Sequence, residues 1–241
     1  MKKRTPSMTE ASEKSTDPAR ASVHPDVVLD ARLAIFHQRS RWLALADVHY
    51  GYEVARRAEG GLWPLWGMGA IEERLAGLLD DYAPETVILV GDVIDRGVVD
   101  REALAWLAGV RERCAALVLV AGNHDAGAIR REASFVETHE TGDGFFFHHG
   151  HEGPSVPESC AVEVCGHWHP GVHLSDGAGL RLRLPCLVQE QSPDEPFARW
   201  VLPAFSPWAG NGKWAPRPGA ARRQWVCGKN RVFELEPTDQ I

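Results

Sequence analysis

Three five-residue runs constrain this chain more than any other feature. WLALA at 42–46, TVILV at 86–90 and ALVLV at 116–120 are nearly unbroken apolar segments. A strand that faces water on one side alternates polar and apolar residues, whereas one with no polar face is buried on both sides. Between the first two runs Ile71, Leu75, Leu78 and Leu79 recur at helical spacing, and REALAWLAGVRER separates the second from the third. Strand alternating with helix at this rhythm predicts βαβ units and a parallel sheet. Upstream, VVLD and LAIF are bounded by the turn-like DAR and HQRSR, which predicts strands in succession.

After about Ser134 the pattern changes to strands with Gly/Pro turns: GFFFHHG, AVEVCGH, LRLRL, PCLVQE, WVLPA, QWVCG and RVFELE. Two sheets packed face to face inside helical layers are expected. Residues 1–22 contain no Leu, Ile, Val or aromatic residue, so they cannot offset their own ordering entropy and are expected to be a disordered tail. Residues 23–241 are expected to form one domain with a Pro/Trp-rich, locally basic C-terminal segment. Hydrophobic residues at 44% and a net charge of −7 exclude a disordered protein and a basic nucleic-acid coat. The apolar runs reach about half of the ~20 residues a spanning helix needs. No apolar stretch follows MKKR, and the five cysteines (Cys114, Cys160, Cys165, Cys186, Cys227) never occur as CxxC. A cytoplasmic protein without disulfides or a thiolate zinc cage is therefore expected.

The chemistry gathers where the strands end. Asp47 and His49 follow WLALA, Asp92 follows TVILVG, and Asn123, His124 and Asp125 follow ALVLVAG. His149 ends FFFHHG, and His167 and His169 follow VEVCG. The carboxyl ends of strands are where an open α/β sheet places its site. Asp, Asn and His supply oxygen and imidazole nitrogen without thiolate, a set suited to Mn, Fe or Zn. Seven such residues exceed the needs of one ion and suit two ions that share a carboxylate. Two ions clamp the attacking and leaving oxygens of a phosphoryl displacement and generate hydroxide at neutral pH. His124 directly follows a ligand, and an imidazole is suited to proton transfer near pH 7. Asp95 or Asp125 could orient it. Arg96 reads equally as a phosphate contact or a surface cation. His148 and His149 are neighbours on one strand and face opposite ways, so only one can serve the metals.

The series DVH, GDVIDRG, GNHD, HHGH and GHWH resembles the calcineurin-like metallophosphoesterase superfamily, with its DxH, GDxxD, GNHD, H and GHxH pattern. The resemblance implies a four-layer α/β/β/α sandwich around a two-metal centre. It implies that Asp47, His49 and His169 hold one ion, Asn123, His149 and His167 the other, and that Asp92 bridges them. It gives His124 the task of protonating the leaving oxygen, and favours His149 over His148. His151 is left as a substrate contact or an accessory group.

Two further stretches, DVHYGYEVARRAEGGLWP and GHWHPGVHL with LRLRLPCLV and WVLPAFSPWAGN, are similar to ligase-associated DNA-damage-response metallophosphoesterases. Tyr50 and Tyr52 depart from that branch, which has Leu and Lys there. This second resemblance implies a manganese-dependent DNA phosphodiesterase or endonuclease linked to repair, with a DNA ligase or helicase as possible partner. The alternatives are a phosphomonoesterase, including a protein phosphatase, a small-nucleotide pyrophosphatase, and a non-catalytic scaffold of the same fold. Lys213, Arg217, Arg222, Arg223, Lys229 and Arg231, interleaved with Trp214 and Trp225, suit a single-strand groove. The simpler expectation puts those tryptophans in the core and the cations in water. Trp63 and Trp66 could wall the substrate cleft or pack as a lid.

Overall fold

The structure, a computed structural model, describes residues 17–96, 99–175, 177–210, 212 and 214–235. Strands β1 (Arg20–His24), β2 (Val27–Asp30), β3 (Ala34–His37) and β4 (Trp42–Ala46) pair antiparallel in succession. Helices α1 (Tyr52–Ala58) and α2 (Gly67–Tyr82) lead to β5 (Thr86–Val90), and α3 (Asp100–Arg111) leads to β6 (Ala116–Val120). β4, β5, β6 and the two-residue β7 (Phe135–Val136), which follows α4 (Ala128–Glu132), are parallel neighbours. The first sheet therefore has the order β1-β2-β3-β4-β5-β6-β7.

β4 is buried along its whole length, and β5 from its second residue onward, as the absence of a polar face requires. β6 departs from that expectation: only Leu119 and Val120 are buried. The short β7 pairs only with those two residues, so among the described residues the start of β6 has no paired strand on that side.

The second sheet has the order β15-β14-β12-β13-β10-β9-β8. Its strands are β8 (Thr138–Glu140), β9 (Phe145–His148), β10 (Val162–Cys165), β12 (Arg181–Gln191), β13 (Ala198–Val201), β14 (Ala221–Cys227) and β15 (Val232–Glu234). LRLRL and PCLVQE, expected as two strands, form the single β12. Its first half pairs with β11 (Gly171–Ser175) and its second with β14. Pro185 stands where the pairing changes hands, a position where its missing N–H is tolerated.

Trp42, Phe145, Phe147 and Trp200 interlock edge to face between the sheets, with ring centroids 5.0–5.7 Å apart. Ile71, Leu75, Leu78 and Leu79 of α2 and Ala103, Leu107 and Val110 of α3 join the same core. Among the described residues all four helices fall between Tyr52 and Glu132. On the second sheet Cys165, Cys186, Val188 and Val226 point away from that core into a smaller cluster, closed by Val172, Leu174 and Trp214. The two packed mixed sheets are thus as expected, and the layer beyond the second sheet is built from β11 and irregular chain in place of helix.

The polar stretch at the amino end contributes more order than its composition suggests. Arg20, Ala21 and Ser22 lie in β1, paired with Asp30, Leu29 and Val28. An edge strand needs backbone partners more than apolar side chains, and the Arg20 guanidinium adds an ion pair with Asp81 at 3.1 Å. The rest of the expected tail, residues 1–16, lies outside the described residues.

Candidate metal centre

Register brings the strand ends to one level. Ala46 aligns with Val90 and Val90 with Val120, so Asp47, Gly91 and Ala121 all begin their loops at the same height. In the second sheet Cys165 aligns with His148, which sets His149 and Gly166 side by side. The loops are then stitched together: Asp47 N–H donates to Gly91 O at 3.2 Å, His49 N–H to Asp92 O at 2.8 Å, and Gly166 N–H to His149 O at 3.0 Å.

Five of the seven expected ligands have left-handed backbone: Asp47, His49, Asp92, His167 and His169, with φ between 43° and 68°. That region costs a residue with a side chain about 1 kcal/mol or more and persists where surrounding contacts over-determine it. The concentration of such residues at one spot marks a site held against local preference.

Three groups of atoms lie close enough to hold an ion: Asp47 with His49 and His169, Asp92 with His149 and His167, and His49 with Asp95 and His124; the first two contain the residues expected as ligands. The His49 and His169 Nε2 atoms are 3.5 Å apart, and His167 Nδ1 is 3.2 Å from His149 Nε2. Two nitrogens each ~2.1 Å from one ion at a tetrahedral angle are ~3.4 Å apart, so both spacings fit a shared cation. Asn123 Oδ1 lies 3.1 Å from His149 Nε2 and completes the second group. Asp92 Oδ2 is 3.3 Å from His149 and 3.7 Å from His49, within reach of both groups, as a bridging carboxylate must be. Burial opposes ionisation of Asp92, but the His149 and His49 imidazoles outweigh it and hold the carboxyl at about 2. The residues present fit two divalent ions.

The glycines that precede three of the candidate ligand motifs pack against other candidate ligands. A Cβ on Gly91 would lie 2.0 Å from His149 Nδ1, and one on Gly122 would lie 2.1 Å from the Asp92 nitrogen and 2.2 Å from its Oδ1. At Gly166 it would lie 2.7 Å from Asp47 Oδ2. Each loop thus leaves room for the ligand of a neighbouring strand.

His124 stands beside the first two groups with its Nδ1 2.7 Å from Asp95 Oδ1, the separation of a charge-assisted hydrogen bond. The alternative between Asp95 and Asp125 is resolved by this contact. Asp125 faces away: its carboxylate accepts from Gly122 N–H at 2.8 Å and Ile94 N–H at 3.1 Å, and so staples the GNHD loop to the GDVID loop. Burial pushes Asp125 up to about 6. Asp95 is held well below the usual carboxylate range, because the His124 hydrogen bond and the nearby His49 outweigh its burial. The same hydrogen bond, the largest influence on His124, raises that imidazole above its ordinary value. Arg96 is close enough to His124 to oppose its protonation, yet its guanidinium is tied to Glu59 at 2.7 Å and is half exposed.

The neighbouring histidines separate as strand geometry demands. His148 turns to the opposite face, where its Nε2 is 2.8 Å from Glu163. Arg199 binds both oxygens of the same carboxylate. His151 stacks near His149, with centroids 5.2 Å apart.

The basic C-terminal segment does not form a stacking groove among the described residues. Trp225 is buried, and its indole N–H donates to Gln189 at 2.8 Å. Trp214 packs on the outer cluster and donates to Glu190 at 3.3 Å. Arg217 pairs with Glu195, Arg223 pairs with Glu234, and Lys213 lies outside the described residues.

Sequence reasoning missed Arg56, whose Nη2 reaches Asp95 at 3.2 Å from one turn into α1. It also missed Trp208, whose indole N–H donates to the buried Glu53 at 3.0 Å. The helix after the first motif was the available signal for Arg56, since i and i+4 share a face there. Tyr52, at that spacing, stacks under the Arg56 guanidinium at 4.9 Å.

The Pseudomonas putida nuclease MPE is 28% identical, with 87% of this chain and 94% of that one covered at a TM-score of 0.62. Yfce, a phosphoesterase from E. coli, is 15% identical, with 83% and 94% covered at a TM-score of 0.41. No curated protein sequence matches the chain. The calcineurin-like phosphoesterase pattern matches residues 40–161, just over half of the sequence, and includes Asp47, Asp92, Asn123 and His149. The chain belongs to the calcineurin-like phosphoesterase family.

Proposed function

We propose that this protein is a dinuclear, manganese-dependent phosphodiesterase that cuts DNA. The observation that carries the chemistry is the pair of ligand groups, Asp47/His49/His169 and Asp92/His149/His167, beside the His124–Asp95 pair. The diester substrate is supported by the likeness to a nuclease over most of both chains. The donors, oxygen and imidazole nitrogen without thiolate, suit Mn, Fe or Zn, and the choice of manganese rests on the sequence resemblance. Two bound divalent ions would activate water and neutralise phosphate charge.

The remaining work falls to the chain itself. Asp95 accepts from His124 Nδ1, which fixes the tautomer and leaves Nε2 to carry the transferable proton. The carboxylate also keeps the imidazole protonated closer to neutral pH. His124 then donates to the oxygen that departs from phosphorus, a role worth typically 10²–10⁴ in rate. Arg56 fixes the far oxygen of Asp95 and so acts as a positioning residue. The association with DNA repair and the ligase or helicase partner rest on sequence resemblance, and the cytoplasmic location on cysteine usage and the polar stretch after MKKR.

The test is manganese-dependent cleavage of circular single-stranded DNA, with His124→Ala and Asp92→Asn proteins alongside. Nicking that requires manganese and disappears in both variants supports a nuclease with its chemistry at this centre. Intact circles, together with brisk hydrolysis of a phosphomonoester by the same preparation, would overturn the DNA substrate and move the search to phosphoproteins and small nucleotides.

A further inference from the structure

A row of aromatic rings leads away from the metal centre. Tyr52 lies 6.5 Å from His49 between ring centroids, Trp63 lies 5.3 Å from Tyr52, Trp208 lies 5.1 Å from Trp63, and Trp66 lies 4.4 Å from Trp208. The outer end meets water: Trp66 is 48% exposed, and its neighbours Leu62 and Leu65 are 98% and 61% exposed. Large exposed apolar side chains at the end of a row that starts at the candidate metal centre make this end a candidate interaction surface.

The row is anchored to the centre from both ends of its loop. Ser206 N–H donates to Asp47 O at 3.1 Å, and Gly210 O lies 3.3 Å from His169 Nδ1, so Trp208 sits between two contacts with the first ligand group. Glu53, fully buried, accepts from the Trp208 indole and from Met68 N–H at 2.9 Å. Gly67 admits the indole, since a Cβ there would lie 2.1 Å from its Nε1. A lid needing only to cover core would not leave Trp66 half in water.

We propose that Trp66, backed by Trp208 and Trp63, is a stacking subsite for an unpaired nucleobase of the substrate strand. It takes the nucleotide on the Asp47/His49/His169 side of the phosphate being cut. The inference rests on the diesterase assignment above and deepens it. A chain with net charge −7 gains little from general attraction to phosphates. Aromatic faces supply affinity that is indifferent to charge and available only to bases out of a duplex. The contacts of the row with the metal ligands make a strand the fitting occupant, because one polymer then spans both features.

The test uses the full-length, manganese-loaded protein with two substrates: a labelled oligothymidylate, and methyl p-nitrophenyl phosphate, a diester without a base. In Trp66→Ala the ratio of kcat/KM for the oligonucleotide to that for the small diester is expected to fall about tenfold, and Trp66→Phe to recover most of it. One abasic site walked along the oligonucleotide should reproduce the loss at a single position, where Trp66→Ala adds no further loss. An unchanged ratio in Trp66→Ala, with the unaltered protein cutting the oligonucleotide, would overturn the subsite and leave the nuclease standing. Failure of the unaltered protein to cut any oligonucleotide, while hydrolysing the small diester, would overturn both.

Discussion

Gly122→Ala is the sharpest test of how this centre is built. The added Cβ would lie 2.1 Å from the Asp92 nitrogen and 2.2 Å from its Oδ1, where relaxed contacts are about 3.5 Å. The backbone around Gly122 cannot retreat freely, because its N–H is held by Asp125 at 2.8 Å and Ala121 N–H is held by Val136 O at 2.8 Å. The displacement of roughly 1 Å or more therefore falls on Asp92, the residue within reach of both ligand groups. Misplacement of that size costs about 100-fold in rate, and the overpacking costs about 1–3 kcal/mol in stability. The assay is bound manganese per chain after reconstitution, hydrolysis of a small phosphodiester, and thermal unfolding. Gly109→Ala in α3 is the control: nothing lies within 4 Å of its Cβ, and it should gain about 0.5–1 kcal/mol from helix propensity. A Gly122→Ala protein with full metal occupancy and activity within threefold of the parent would refute the argument that this cradle admits no side chain.

Other outcomes follow from the same geometry. Asp95→Ala and His124→Ala should each lower kcat by about 10²–10⁴, and the double variant should lose little more than either, because the two act as one unit; additive losses would separate them. Asp125→Ala should cost about 2–4 kcal/mol by orphaning two buried N–H groups, read from urea unfolding, with a near-neutral result arguing against the staple. Glu163 is buried, which opposes its ionisation, but His148 and Arg199 hold it at about 2 against an ordinary 4.5. A depressed carboxyl stabilises the fold above its unfolded value, so about 3 kcal/mol should be lost as pH falls from 4.5 toward 2. Acid unfolding followed by circular dichroism should show that loss, and Arg199→Ala should move the midpoint to higher pH.

The fold was legible where local pattern and burial agree. WLALA and TVILV have no polar face, which dictated central strands, and the ligands sit directly beyond them because a loop can present polar atoms where a buried strand cannot. That His148 and His149 face opposite ways follows from strand alternation alone, whereas the choice of His149 for the candidate ligand group came from the family pattern and the Glu163 partner of His148 only from the structure. β6 was less legible, since whether its first residues are covered depends on the length of β7.

The sequence by itself determined the alternation of strand and helix around the three apolar runs, the positions at which the candidate ligands follow the strands, and their donor chemistry. These depend on apolar runs, residue type and spacing, all properties of neighbouring residues. Tertiary structure alone decided that Asp95 and not Asp125 meets His124, and that Trp225 enters the core. It also decided that the second sheet is covered by β11 and irregular chain, and that Tyr52, Trp63, Trp66 and Trp208 form one row. Two of those rings are separated by more than 140 positions in the chain. Which side chains meet across loops depends on distances set by sheet register and packing, and no local pattern encodes them.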